Sequence, residues 1–164
     1  MSSTMNHSPG TPVRPEANWK SILECATLEV FQMMAGAHLQ QATSPPEEPT
    51  GQHTAMVGMA GALCGMITIR CGDDTASKLA SFMLGGDAAS TQSTIRDALG
   101  ELYNMVAGNF KSKISNLADH CMLSVPTVIT GEDYVMETAE PSEGFRVALS
   151  LEGALIWVSI VIHT

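Results

Sequence analysis

The sequence predicts an α+β domain in which two long helices lie on one face of a largely antiparallel sheet. Three observations lead to this fold class. Helical and strand patterns are interleaved along the chain, a helix-and-hairpin unit occurs twice, and 164 residues suffice for one sizeable core but hardly for two. We expect residues 1–17 to form a disordered tail and residues 18–164 to form the single domain.

The first half of the domain carries a long helix, a strand hairpin and a short helix. The long helix begins near Asn18, a plausible N-cap, and apolar residues then recur at intervals of three and four. Residues 42–51 contain three prolines and are predicted to form a loop. Strands follow at about 54–60 and 63–71, joined around Gly61, and a short helix begins at Asp73 and is stopped by Gly85 and Gly86.

The second half again begins with a long helix and continues with strands. Ser90 and Thr91 form a good cap for a long helix at about 92–118. Strands are predicted near 122–130, 145–151 and 154–163, with Glu152 and Gly153 as a tight turn between the last two. The apolar strand at 154–162 could lie in the centre of the sheet or near an interface between two copies of the chain.

A weak internal repeat supports a duplicated helix–hairpin unit. The motif Glu-x-x-Gln-x-x-x-Gly in the first long helix matches Glu-x-x-Asn-x-x-x-Gly in the second, and each copy precedes a strand hairpin centred on glycine. The spacing alone could be coincidence, but duplication accounts for the order of the elements along the whole chain. The matching residues are Glu29, Gln32 and Gly36 in the first copy, and Glu101, Asn104 and Gly108 in the second.

Charge and composition exclude several classes of function. The net charge is −9 and the eight Lys and Arg residues form no run, so neither nucleic acid nor an anionic membrane is an expected partner. The longest apolar run is far below the ~20 residues of a membrane helix, and no signal peptide is visible, so we expect a cytoplasmic protein. The four cysteines lack CxxC spacing and the five histidines are scattered, so no metal site is expected.

One face of the second long helix is polar. With Asp97 at zero on a helical wheel, Glu101 lies at about 40°, Asn104 at about 340° and Gly108 at about 20°. Lys111 falls within about 40° of zero on the same side. The apolar residues lie on the opposite side, between about 140° and 220°, namely Ile95, Leu99, Leu102, Val106, Phe110 and Leu117.

An ordinary solvated face would explain this polar stripe, but two details indicate a functional surface. Asn104 lies in the middle of the helix, where asparagine has poor propensity. Gly100 and Gly108 flank the stripe, and each costs ~1 kcal/mol relative to alanine. We interpret these glycines as positions that let the backbone of another molecule approach closely.

The stripe resembles the signature of the CheC/CheX/FliY family of chemotaxis phosphatases. The resemblance rests on Asp97-x-x-x-Glu101-x-x-Asn104, then Gly108-Asn109 and Pro126, and extends in order over residues 19–164. It implies a CheC-like fold. The first copy has Cys25 and Gln32 in the Asp and Asn positions, which resembles the CheX arrangement of one active site.

The resemblance also implies a reaction and a partner. A CheY-like receiver domain that carries a phospho-aspartate would be the substrate, and it would supply its own Mg²⁺, so the chain would need no cofactor. Asn104 would orient the attacking water and Glu101 would pair with a lysine of the receiver, while Asp97, Gly108 and Lys111 would contact the docked receiver. Relatives of the CheX type are homodimers. Two alternatives stay open: a receiver-binding or scaffold module without catalysis, and a structural dimerisation domain.

Overall fold

The computed structural model describes residues 14–42, 53–86, 91–132, 134 and 142–163. The predicted tail therefore lies mostly outside the described residues, as does the predicted loop at 42–51 apart from its first residue. No helix in these ranges is both long enough and apolar enough to cross a membrane.

The described ranges contain three α-helices, and their ends follow from local sequence. Helix α1 (Trp19–Ala35) begins after Asn18 and ends at Gly36, which adopts the left-handed conformation with φ 58°. Helix α2 (Asp73–Leu84) has two acidic residues in its first turn and ends at Gly85. Helix α3 (Gln92–Ser112) is capped by Thr91, whose side chain accepts a hydrogen bond from the amide of Thr94 at 3.2 Å.

The strands of the described ranges form a single sheet whose pairings are all antiparallel. The order across it is β1-β6-β7-β3-β2-β4, and β5 also pairs with β2, so β4 and β5 together form one edge. The bounds are β1 Gln40–Gln41, β2 His53–Gly61, β3 Gly65–Cys71, β4 Cys121–Leu123, β5 Thr127–Thr130, β6 Ser142–Leu151 and β7 Ala154–His163.

The apolar strand β7 lies in the interior of the sheet, between β6 and β3. The predicted turn before it is present: Glu152 has φ 50° and Gly153 has φ 87°, and positive φ at both positions suits a two-residue hairpin between twisted strands. Ile156, Val158, Ile160 and Ile162 on one face of the strand are buried in the core, whereas most residues of its other face are only partly buried.

The two long helices pack side by side over one face of the sheet, as the sequence predicts. The ring of Trp19 on α1 meets the ring of Phe110 on α3 edge-on, with centroids 5.9 Å apart. Phe31 and Tyr103 stack at 6.3 Å. Both aromatic pairs are fully buried, so they fix the position of α3 against α1 in the core. The α+β class and the predicted arrangement of two long helices over one face of the sheet are therefore present.

Several boundaries differ from the sequence prediction: β3 begins at Gly65 instead of residue 63, β6 begins at Ser142 instead of residue 145, and the short strand β1 was not predicted. Two further differences have a local cause. The second long helix ends at Ser112 instead of about residue 118, and residues 113–120 form turns. The hydroxyl of Ser112 donates to the carbonyl of Asn109 at 2.8 Å, a local bond of the kind that competes with helix continuation. The predicted strand at 122–130 is split into β4 and β5 around Pro126, which has no amide hydrogen for the sheet.

Candidate active site

Helix α3 buries the apolar side that its sequence predicts. Residues 95, 99, 102, 106 and 110 are all at most 5% exposed, and Leu117 in the following turns is buried too. A helix held along this entire side cannot rotate about its axis without breaking the core, so the direction of its opposite side is fixed.

The opposite side presents the predicted polar stripe. Asp97 and Glu101 are exposed and Asn104 is half-buried. Asp97 makes only a long contact, 3.9 Å from its Oδ1 to the Nε of the neighbouring Arg96. Within the described part of the chain, no side-chain hydrogen bond or ion pair involves Glu101 or Asn104. A carboxylate and an amide three positions apart are therefore available to a molecule that docks on this surface.

Gly108 and Lys111 continue the stripe toward the end of α3. A Cβ atom placed on Gly108 would meet nothing within 4 Å, so the space above this backbone is open. Lys111 is half-exposed and lies near Cys121. Burial raises the pKa of the Cys121 thiol, and the positive charge of Lys111 partly offsets this rise. Lys111 thus adds a positive charge beside the otherwise acidic stripe.

The interpretation of Gly100 as an approach point for another molecule is wrong. Gly100 is buried, and a Cβ atom there would lie 3.5 Å from Cγ of Pro126 and 3.8 Å from Cγ2 of Val128. The β4–β5 edge of the same chain therefore packs against α3 at Gly100. The sequence could not reveal this contact, because Pro126 is distant along the chain and its partner depends on the sheet.

The first copy of the motif has a different environment. The carboxylate of Glu29 accepts hydrogen bonds from Asn109 Nδ2 at 2.9 Å and pairs with Lys113 Nζ at 2.7 Å. Hydrogen bonds from Lys113, then Asn109, then Cys25 lower the pKa of Glu29 to about 2. Gln32 is exposed. The carboxylate that corresponds to Glu101 is thus engaged in holding α1 to α3.

Sequence reasoning missed this interhelical cluster. Asn109 was noted only as part of a signature, yet its amide also donates to the carbonyl of Ala26 at 3.2 Å. No local signal predicts the cluster, because its partners on α1 and α3 are about 80 positions apart. In the described ranges there is also no group of three or more His, Cys, Asp or Glu residues that could hold a metal ion.

Comparison with known protein families identifies the chain. The family described as chemotaxis phosphatase CheX matches residues 53–150, which is more than half of the 164 residues. The chain belongs to the CheX family. The family resemblance drawn from the stripe and its surroundings is therefore confirmed, and the match includes the whole of α3.

A relative of known activity supports this membership over part of the CheX-family chain. The CheY-P phosphatase CheX of Thermotoga maritima is 33% identical over 79 residues, which are 48% of this chain and 51% of that protein. The similarity thus spans about half the length of this curated relative.

Solved structures confirm the fold of this CheX-family chain. The chemotaxis protein CheX of Vibrio vulnificus superposes with a TM-score of 0.78 at 19% identity, covering 92% of this chain and all of that one. CheX in the CheX–CheY–BeF3–Mg²⁺ complex of Borrelia burgdorferi gives 0.76 at 24% identity, covering 91% of this chain and all of that one. The predicted CheC-like fold is therefore present over nearly the whole molecule.

Proposed function

We propose that this chain is a protein aspartyl-phosphate phosphatase that dephosphorylates a CheY-like receiver domain. The observation that carries the proposal is the pair Glu101 and Asn104, which project from a helix anchored in the core and have no partner in the described part of the chain. Membership of the CheX family supports the reaction class. The name of the Thermotoga relative, a CheY-P phosphatase, supports the substrate class.

The chemistry requires water to attack phosphorus in line with the leaving carboxylate oxygen. The new P–O bond forms as the bond to the aspartyl oxygen breaks, so inorganic phosphate leaves and the receiver regains its aspartate. Catalysis of this step is mostly positioning and charge compensation. The Asn104 amide has both a donor and an acceptor, so it can hold the water in line.

Glu101 is proposed to set the register of the docked receiver. Its carboxylate would pair with the receiver's active-site lysine, and such a pair fixes orientation more than it adds affinity. Asp97, Gly108 and Lys111 would contact the receiver around this pair. Mg²⁺ is proposed to arrive with the receiver, so that this chain has no cofactor of its own; the Borrelia complex contains CheX and CheY together with Mg²⁺.

We also propose that the chain works in the cytoplasm as a homodimer, in a chemotaxis pathway or another two-component pathway. Cys25 and Cys64 are exposed free thiols, which suits a reducing compartment. The dimer rests on the resemblance to CheX proteins, and sedimentation equilibrium of the purified chain tests it. A monomer at micromolar concentration would refute this part of the proposal.

The test of function is acyl-phosphate hydrolysis in a panel of receivers from the same genome. We expect wild type to shorten the lifetime of at least one phospho-receiver, and Asn104→Ala to lose about 100-fold or more of that rate because the water is no longer held in line. Binding of Asn104→Ala to the same receiver loaded with beryllofluoride should persist.

Wild type that binds a receiver but leaves its phosphate lifetime unchanged would select the non-catalytic binding module. Failure to bind any receiver would favour the structural domain.

A further inference from the structure

Pro126 lies beside helix α3, in the short segment that joins β4 to β5 at the edge of the sheet. Its side chain is half-buried, and its Cγ atom would lie 3.5 Å from a Cβ atom placed on Gly100. The direction in which that Cβ atom would project from α3 therefore shows on which side of the helix the proline ring lies.

The helical wheel places the ring on the outward half of α3. With Asp97 at zero, Gly100 lies at about 300°, which is about 40° from Asn104 at about 340°. The buried apolar side is centred near 180°, about 120° from Gly100. Gly100 precedes Asn104 by one helical turn, a rise of about 6 Å along the axis. The ring of Pro126 thus flanks the polar stripe and does not lie beneath the helix.

The backbone on either side of Pro126 is fixed by pairing with β2. The amide of Ser124 donates to the carbonyl of Gly58 at 2.9 Å, and the hydroxyl of Ser124 accepts from the amide of Gly58 at 2.8 Å. On the other side, Thr127 pairs with Met56 in the antiparallel register of β5 and β2. The pyrrolidine ring also fixes φ of Pro126 itself. The proline therefore presents a preformed apolar surface beside the stripe.

A protein that docks on Glu101 and Asn104 would extend over this proline. A standard interface buries about 800 Å² on each partner, which corresponds to a disc with a radius of about 16 Å. Pro126 contacts α3 about one helical turn from Asn104, so it lies well inside a disc centred on the polar pair. Docking would then remove the exposed part of the ring from water, and burial of apolar surface favours association.

We propose that Pro126 is a docking residue for the receiver domain, an apolar contact on the sheet-edge side of the polar pair Glu101 and Asn104. The inference rests on the proposed function, and the receiver is the occupant because the ring adjoins the stripe on which the receiver is proposed to dock. A preformed apolar contact contributes affinity with little loss of conformational entropy. The polar pair supplies register and chemistry.

The test separates binding from catalysis in Pro126→Ser. We expect Kd for a receiver loaded with beryllofluoride and Mg²⁺, and KM for the phospho-receiver, to rise about tenfold through loss of the apolar contact. The value of kcat should stay within about twofold, since the water and Asn104 are untouched. Pro126→Val, which keeps an apolar side chain at this position, should restore both constants to within about twofold of wild type.

Met122→Ser is the matched control on the same sheet edge. Met122 is 77% exposed, and its neighbours Cys121 and Leu123 pack toward the core, so alternation directs Met122 to the sheet face away from α3. Its Kd and KM should equal those of wild type. An equal loss in Met122→Ser, or a fall in kcat with unchanged KM in Pro126→Ser, would overturn the docking role.

Amide hydrogen exchange of the wild-type chain provides a measurement that does not depend on the folding of a variant. Binding of the beryllofluoride-loaded receiver should slow exchange several-fold in the peptide that covers residues 124–128 and in the peptides of α3. Exchange in β1, at the opposite edge of the sheet, should stay unchanged. Protection of α3 without protection of residues 124–128 would contradict a contact at Pro126.

The same measurements distinguish this inference from the proposed function. Wild type that binds the loaded receiver but does not hydrolyse the phosphate would overturn the phosphatase, and Kd of Pro126→Ser would then decide the docking role. Wild type that hydrolyses the phosphate while Pro126→Ser keeps the same Kd and KM would overturn the docking role alone. Absence of any receiver binding would overturn both.

Discussion

Two glutamates at matching positions of the duplicated unit have different environments. Glu101 on α3 is exposed and has no side-chain partner in the described ranges, whereas Glu29 on α1 accepts hydrogen bonds from Asn109 and Lys113. Asn109 lies on α3 and Lys113 directly follows that helix, both beyond Asn104, the proposed catalytic residue. A carboxylate engaged in this way cannot pair with a lysine of a docked protein without giving up its own partners, so the first copy is suited to holding helices together.

The pKa of Glu29 leads to a prediction about stability against pH. The folded pKa is lowered from 4.5 to about 2, mainly by the Lys113 hydrogen bond, so the contribution of Glu29 to stability is complete above about pH 4.5 and is lost as pH falls toward 2. We expect wild type to unfold at higher urea concentration than Glu29→Gln near neutral pH. The difference between their free energies of unfolding should shrink steadily below about pH 4.5.

A double-mutant cycle provides the control for this prediction. Lys113→Met removes the main partner of Glu29. The coupling energy between Glu29→Gln and Lys113→Met should be measurable at neutral pH, smaller in high salt, and strongly reduced near pH 2, where about half of the folded molecules carry a protonated Glu29. Glu29 has 44% of its side chain exposed, so solvent screening keeps the coupling modest. A coupling energy independent of pH would contradict the assignment to the ionised pair.

The two glycines of α3 lie in different environments. Gly100 is buried under Pro126, while Gly108 faces open space. Each should cost the helix ~1 kcal/mol relative to alanine. Gly100 is covered by the sheet edge of the same chain, with ordinary van der Waals space for a methyl group. Nothing within the described fold requires a small residue at Gly108, which suits a position reserved for a docked partner.

Alanine substitutions test this distinction. Gly108→Ala should raise the free energy of unfolding by about 1 kcal/mol, because the new methyl group meets no atom of the chain. It should also raise KM for the phospho-receiver about tenfold, if the methyl group displaces a closely approaching backbone at a cost of ~1.4 kcal/mol. Urea denaturation and steady-state kinetics on the same preparation measure the two effects.

Gly100→Ala is the internal control on the same helix. Its Cβ would lie 3.5 Å from Pro126, an ordinary contact distance, so it should add similar stability and leave KM unchanged. If Gly108→Ala gained stability with no rise in KM, Gly108 would not belong to the docking surface. If both variants raised KM equally, the effect would come from helix rigidity and not from the approach of a partner.

Sequence patterns predicted most of these elements, and the exceptions share a physical cause. The periodicity of α3 identified its buried side residue by residue, and Glu152 with Gly153 identified the last turn, because both signals are local. The contact of Gly100 with Pro126 and the contacts of Glu29 with Asn109 and Lys113 join distant parts of the chain. The first depends on which strand forms the sheet edge and the second on how α1 packs against α3, and no local pattern encodes either.

For the molecule as a whole, one number bears on encounter with a partner: the net charge of −9 on 164 residues. An acidic receiver would be repelled at long range. Along the proposed docking stripe, Lys111 contributes a positive charge. The local attraction proposed between Glu101 and the receiver's lysine acts only after contact. Long-range repulsion and short-range pairing therefore act at different separations, and salt screens the first more than the second.

This separation predicts an inverse salt dependence. The Debye length falls from ~30 Å at 0.01 M to ~8 Å at 0.15 M ionic strength, so kcat/KM for an acidic phospho-receiver should rise several-fold across this range. The rise should come from a lower KM at constant kcat, since water and Asn104 act inside the docked complex.

Rates are to be corrected for spontaneous dephosphorylation of the receiver at each salt concentration. Sucrose of equal osmolality is the control and should have no effect. A fall of kcat/KM with salt would mean that attraction at the contact, through Lys111 or Glu101, outweighs the charge of the whole molecule.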